Sequence, residues 1–206
     1  MLLRHGRTAW NLEHRIQGQL DAPLDDLGHL QARAVSTTLA AMRPSRLWSS
    51  DLSRAGDTAA YVGEACGLEV RPDSRLREYA LGALQGQTHE EYAATDPDAF
   101  AQFRRGHFDI APDGESTVAV ADRMSASLGD LLAATAPGEV SVAVSHGAAI
   151  RVAIAALVGW PTELTRTLGV LDNAGWAVLA ESSETGRLRL AAYNLTADFA
   201  TVRGVG

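Results

Sequence analysis

Leu3-Arg4-His5-Gly6-Arg7-Thr8 starts on an apolar residue, turns at a glycine and ends on a threonine, with Asn11 close behind. That order predicts a strand running into a tight turn that opens a helix. The first turn of a helix presents free backbone N–H groups and a partial positive charge, which suits a phosphate. Gly6 lets the backbone approach closely. Arg4 offers a planar fork of donors, and His5 a neutral imidazole nitrogen able to attack phosphorus. An isolated Arg-His-Gly string also recurs by chance, so the reading needs partners elsewhere in the chain.

Three further stretches supply them. Ser145-His146-Gly147-Ala148 repeats the strand-to-helix pattern near the far end, at the carboxyl end of a strand where α/β sheets deliver functional groups. A satisfied histidine at a surface turn is its bland reading. Ser49-Ser50-Asp51-Leu52-Ser53-Arg54 places an arginine in the first turn of a helix. A cation is unfavourable there, and an anionic partner would account for it; a solvated surface arginine is the alternative. Arg75-Leu76-Arg77-Glu78-Tyr79 supplies a carboxyl that could protonate a leaving alkoxide, or else simply pair with Arg75 or Arg77.

Working outward, short apolar runs alternate with amphipathic stretches, which reads as α/β. Helices are expected over 26–42, 51–65, 117–134 and 148–158, with irregular helices broken at Pro97 and Gly106 between 88 and 108. Strands are expected at 46–49, 68–71 and 140–145, and a late antiparallel hairpin pairs 176–181 with 188–193 around Gly186. Only Met1, Leu2 and Leu3 precede Arg4, so the first strand is very short or the numbering begins late.

The 206 residues fit a single domain, 1–206. The formal charge of −7 argues against a general nucleic-acid or anionic-membrane binder, while leaving room for an arginine cluster inside a cleft. Cys66 is the only cysteine, which excludes an intrachain disulfide and disfavours a zinc cluster. A signal sequence is not apparent, and the longest apolar stretch, 148–158, is interrupted by Arg151 and too short to span a bilayer. A cytoplasmic protein is the expectation.

Taken together, these blocks resemble the histidine phosphatase superfamily, the phosphoglycerate-mutase-like group. The likeness runs through Leu3 to Thr8 with Asn11, Gln17-Gly18, Leu27-Gly28, Ser50-Asp51-Leu52 with Arg54-Ala55, Leu76-Arg77-Glu78, Gly114-Glu115-Ser116 and Ser145-His146-Gly147. It implies a three-layer α/β/α sandwich around a mostly parallel sheet. His5 would be the phospho-accepting nucleophile, Glu78 the proton donor, and Arg4, Arg54 and His146 would surround the phosphoryl group. Asn11, Gln17, Gly147, Thr8 and Tyr79 would contact phosphate or substrate, and residues 79–116 would cover the site. Tyr79, His107 and Glu115 are candidate leaving-group contacts, each with a structural alternative.

The resemblance implies no metal, no cofactor, a small-molecule phosphate ester as partner, and a homodimer as a common state. Within the group the chain is similar to the phosphatase branch, because Tyr79-Ala80-Leu81-Gly82 stands where mutases carry Arg-x-Tyr-Gly. Its departure is Ala83-Leu84-Gln85, where an aromatic and an acidic residue are common. A bisphosphoglycerate-dependent phosphoglycerate mutase is the alternative. A non-catalytic phosphate-binding module is the second, and it would be expected to lack one of Arg4, His5, Arg54, Glu78 or His146.

Overall fold

A computed structural model describes residues 1–197. In chain order the elements are β1 (Leu2–Arg4), α1 (Ala9–Leu12), α2 (Asp26–Ala40), β2 (Arg46–Ser49), α3 (Ser53–Cys66) and β3 (Arg71–Pro72). They continue with α4 (His89–Thr95), α5 (Pro97–Arg104), α6 (Thr117–Ala133), β4 (Ser141–Ser145), α7 (Gly147–Val158), β5 (Trp176–Glu181) and β6 (Leu188–Leu195).

The strands form one sheet in the order β3-β2-β4-β1-β5-β6. The first four run parallel, and β5 and β6 pair antiparallel. This is the expected mostly parallel sheet with the late hairpin on one side. β1 lies inside the sheet between β4 and β5, and its three residues suffice because both neighbours hold it. The strand expected at 68–71 shrinks to Arg71–Pro72. Leu68 instead bonds back to Gly63 O, after Gly67 has ended α3 in a left-handed turn.

Alternation along the strands divides the core. Leu2, Trp48 and Ala143 pack on one face with Met124 and Leu128 of α6 and Ile150 and Ile154 of α7. Leu3, Leu47, Val142 and Val144 pack on the other with Val35 and Leu39 of α2 and Ala59 and Val62 of α3. Three layers result, and β4 is buried along its whole length, as expected for a parallel strand covered on both faces.

Register fixes the site. Arg4 lies opposite Ser145, so His5-Gly6 and His146-Gly147 leave the sheet side by side at its carboxyl edge. The turn after β1 also touches α2. A Cβ on Gly6 would stand 2.5 Å from Gly28 O, and one on Gly28 2.0 Å from Arg7 O, so both positions exclude any larger residue.

Candidate active site

His5 is buried, with Nδ1 2.7 Å from the carbonyl oxygen of Gly6. A carbonyl can only accept, so Nδ1 carries the proton and Nε2 keeps its lone pair. Burial, followed by the charges of Arg54 and Arg4, holds the ring's pKa well below the ordinary histidine value, and the imidazole is neutral. A neutral ring with a free Nε2 on the wall of a cavity has the form of a nucleophile.

Arg54 is 1% exposed. Its Nη1 donates to Leu20 O at 2.8 Å and its Nη2 to Gly18 O at 2.7 Å, so the loop after α1 fixes the guanidinium. Its Nε donates to His146 Nδ1 at 3.2 Å. Burial draws the Arg54 pKa down to about 10, which leaves it charged at neutral pH. Thr58 ties this helix to the nucleophile's turn, donating to Arg54 O at 2.7 Å and accepting from Gly6 N at 3.0 Å. Arg4 is half-buried and donates Nη1 to Leu171 O. Its Nε is buried without a hydrogen-bond partner among the described residues.

His146 is fully buried and does not line the cavity, contrary to the expectation that it surrounds the phosphoryl group. Both of its ring nitrogens are committed, Nδ1 to Arg54 and Nε2 to Ser50 Oγ at 2.9 Å. Its centroid is 5.2 Å from that of His5. It braces Arg54 and packs against His5.

Glu78 meets the start of α7. Its Oε2 accepts from Ala148 N at 3.0 Å, and its Oε1 from Ala149 N at 2.9 Å and Tyr79 N at 3.0 Å. A carboxylate offers roughly four lone-pair positions, so one remains, on Oε2. The backbone beneath it is fixed by Arg123, which donates to Glu78 O, Arg75 O and Arg77 O and pairs with Glu115. Glu115 therefore serves as scaffold: it also accepts from Ala80 N at 2.8 Å and lies off the cavity wall, as does His107.

The cavity has a volume of about 460 Å³, within the usual range for small-ligand sites. Asn11, Gln17, Gly147 and Tyr79 line it. Asn11 Oδ1 accepts from Thr8 N and Asn173 Nδ2, leaving the Asn11 amide nitrogen to face a ligand. Thr8 does not reach the wall, because its hydroxyl caps α1. The Tyr79 hydroxyl is turned onto Thr117 Oγ1 at 3.2 Å and stays protonated, burial having raised its pKa. Gly147 opens α7, where no earlier carbonyl of the helix can take its N–H. A Cβ there would lie 3.4 Å from Arg4 Nε.

Sequence reasoning missed Arg15, Arg104, Arg105, Arg151 and Arg166, which also line the cavity. Of these, Arg151 carried a signal, as the one charge within an apolar helix. It also missed Asn173, whose Nδ2 donates to His5 O at 3.2 Å, Asn11 Oδ1 at 3.2 Å and Gly6 O at 3.4 Å. The unusual Ala83-Leu84-Gln85 segment lies off the wall: Leu84 is in the core, and Gln85 Oε1 accepts from Gln19 N at 2.7 Å.

With a neutral histidine, the two arginines Arg4 and Arg54 and a positioned carboxyl at a sheet edge, the class is that of an enzyme acting on phosphate esters. The family model for the histidine phosphatase superfamily (branch 1) matches residues 1–195, and the chain belongs to that family. It is a phosphoric monoester hydrolase. It is 39% identical over 210 residues to glucosyl-3-phosphoglycerate phosphatase of Mycobacterium tuberculosis, covering 96% of this chain and 94% of that one. A solved structure of the mycobacterial glucosyl-3-phosphoglycerate phosphatase with VO3 superposes with a TM-score of 0.88 at 40% identity, covering 95% of this chain and 98% of that one. The probable phosphoglycerate mutase GpmB of Escherichia coli is 36% identical over 168 residues, covering 81% and 78%. No described helix is long and apolar enough to cross a membrane.

Proposed function

We propose that this protein hydrolyses a small phosphate monoester, of sugar-phosphate or phosphoglycerate type, through a phosphohistidine on His5. The observation that carries the reading is the His5 Nδ1–Gly6 O bond, which leaves Nε2 as the lone pair on a cavity wall shared with Arg4 and Arg54.

In the first step Nε2 attacks phosphorus in line and the bond to the ester oxygen breaks. A proton on Glu78 Oε2 passes to that departing oxygen. In the second, Glu78 takes a proton from water, whose oxygen attacks the phosphohistidine. Inorganic phosphate leaves and Nε2 recovers its lone pair. Arg4 and Arg54 offset charge on the equatorial oxygens, and Asn11, Gln17 and the Gly147 N–H add hydrogen bonds. Phosphoryl transfer draws its catalysis mainly from such positioning and charge stabilisation. His146 contributes through Arg54.

Residues 79–116 act as a cover, a reading supported by Tyr79, Leu81, His89, Phe103 and Phe108, which form part of the cavity wall. The relatives named for glucosyl-3-phosphoglycerate support a glycosylated phosphoglycerate as a substrate to try first. The same reading places the chain in the cytoplasm as a homodimer, which fractionation and light scattering test.

A screen of sugar phosphates and phosphoglycerates against wild type and His5→Ala tests the proposal. Release of inorganic phosphate by wild type alone is the expected result. Isomerisation of 3-phosphoglycerate in the presence of a bisphosphate primer, without net release, would assign the mutase activity that GpmB's name suggests for that relative.

A further inference from the structure

Gln85 lies off the cavity wall but bonds the loop that lines it. The side chain leaves the single helical turn Gly82–Leu84, which Leu84 anchors in the core. Its Oε1 accepts from Gln19 N at 2.7 Å and from Leu81 N at 3.2 Å. Two N–H groups converging on one atom require an acceptor, which fixes the amide with its oxygen toward them. The Gln85 amide nitrogen takes part in no hydrogen bond among the described residues. The fit is close, because a Cβ on Gly18 would stand 2.1 Å from that oxygen.

The N–H of Gln19 and the C=O of Gly18 belong to one peptide unit, which resonance keeps planar. Gln85 takes the N–H, and Arg54 Nη2 donates to the C=O at 2.7 Å. Rotation of this plane therefore breaks both contacts together. Gly18 alone resists it little, since its φ is +52° and a glycine crosses between backbone regions at small cost. Accepting from the N–H also polarises the carbonyl and strengthens its hold on the guanidinium. Leu20 O, the next carbonyl but one, takes Arg54 Nη1 at 2.8 Å. The Gln19 side chain reaches the other half of the site, donating Nε2 to Glu78 O at 3.0 Å and to Glu115 Oε2 at 3.3 Å. Two backbone bonds, Gly86 N to Ile16 O and Ile16 N to Gln87 O, each 2.8 Å, join the same loop to the segment that carries Gln85.

We propose that Gln85 is a positioning residue for phosphoryl transfer: it locks the Gly18–Gln19 peptide so that its carbonyl keeps Arg54 aimed at the equatorial oxygens. The inference rests on the phosphatase reading above. Only the accepting oxygen is required, so a carboxylate of the same length serves, whereas a thioether, a weak acceptor, does not.

The test uses p-nitrophenyl phosphate, whose leaving oxygen needs little protonation, so that turnover reports charge stabilisation rather than Glu78. Gln85→Met should lower kcat/KM for that ester by about tenfold, less than outright loss of a transition-state donor, since Arg54 stays present but loosely aimed. Inhibition by vanadate, whose five-coordinate form resembles the transition state, should weaken by a similar factor, and inhibition by inorganic phosphate by less than about threefold. A general loosening of the fold would weaken both inhibitors alike. Gln85→Glu should stay within about threefold of wild type on all these readings. In wild type the Gln19 amide, although in a loop, should exchange slowly with deuterium, which NMR reads even where Gln85→Met fails to fold. Wild-type kinetics in folded Gln85→Met, equal weakening of both inhibitors, a Gln85→Glu loss as large as that of Gln85→Met, or unprotected exchange at Gln19 overturns the proposal and leaves the phosphatase standing. No phosphate release from any ester by wild type overturns both.

Discussion

The turns at His5-Gly6 and His146-Gly147 start from one plan: a strand of the same sheet, a histidine at its end, a glycine and a helix. Their hydrogen bonds separate them. His5 spends Nδ1 on its own neighbour's carbonyl and keeps Nε2 for chemistry. His146 spends both nitrogens, one on Arg54 and one on Ser50. Identical sequence grammar thus yields one reactive ring and one brace. What distinguishes them is that His146 meets Arg54 of α3 and Ser50 just after β2, both far away in the chain, whereas His5 bonds its own neighbour.

The largest expected effect of breaking this contrast is at His5. His5→Ala should lower kcat/KM for phosphate release by at least about 10⁴-fold, since it removes the Nε2 lone pair that stands beside Arg4 and Arg54. His146→Ala should cost less, about 10²–10³-fold, by loosening one transition-state donor, Arg54. Activity in His146→Ala as low as in His5→Ala would put both rings in the same role.

Asn173→Asp comes next. The substitution replaces a donor facing His5 O, Gly6 O and Asn11 Oδ1 with an acceptor, and a loss in kcat of about 10–100-fold is expected with folding retained by circular dichroism. Ser50→Ala removes the acceptor for His146 Nε2–H and for Leu52 N–H and should cost under about tenfold in kcat.

The smallest effect is on stability. Burial first, and neighbouring arginines second, hold both rings neutral in the folded protein, whereas an unfolded histidine protonates near 6.5. Below that pH the unfolded chain binds more protons than the folded one. Stability therefore holds above about pH 6.5 and falls on acidification by up to about 1.4 kcal/mol per pH unit for each ring. Urea unfolding of wild type and His146→Ala at a series of pH values should show a shallower acid slope in the variant.

Much of this was legible in the residues. Strand-turn-helix order put both histidines at strand ends and Arg54 in the first turn of a helix, where the structure has them, and apolar alternation anticipated the layers, because those features are local. The division of labour was not local. That His146 would turn away from the cavity depends on Ser50 and Arg54 reaching it across the sheet. That Thr8 would cap a helix, and Glu115 anchor Arg123, depends on which group lies within 3 Å or so after packing. Arg166 gave no local signal at all, since only the fold brings it beside Arg151.

The contrast between the two rings is tested most directly by trapping the covalent intermediate. Wild type, His5→Ala and His146→Ala would be mixed rapidly with a phosphate ester, quenched in alkali, which preserves phosphohistidine, and mapped by peptide mass spectrometry. The phosphoryl group should appear on His5 in wild type and in His146→Ala, and nowhere in His5→Ala. A phosphoryl group on His146, or one that forms undiminished in His5→Ala, would contradict the account.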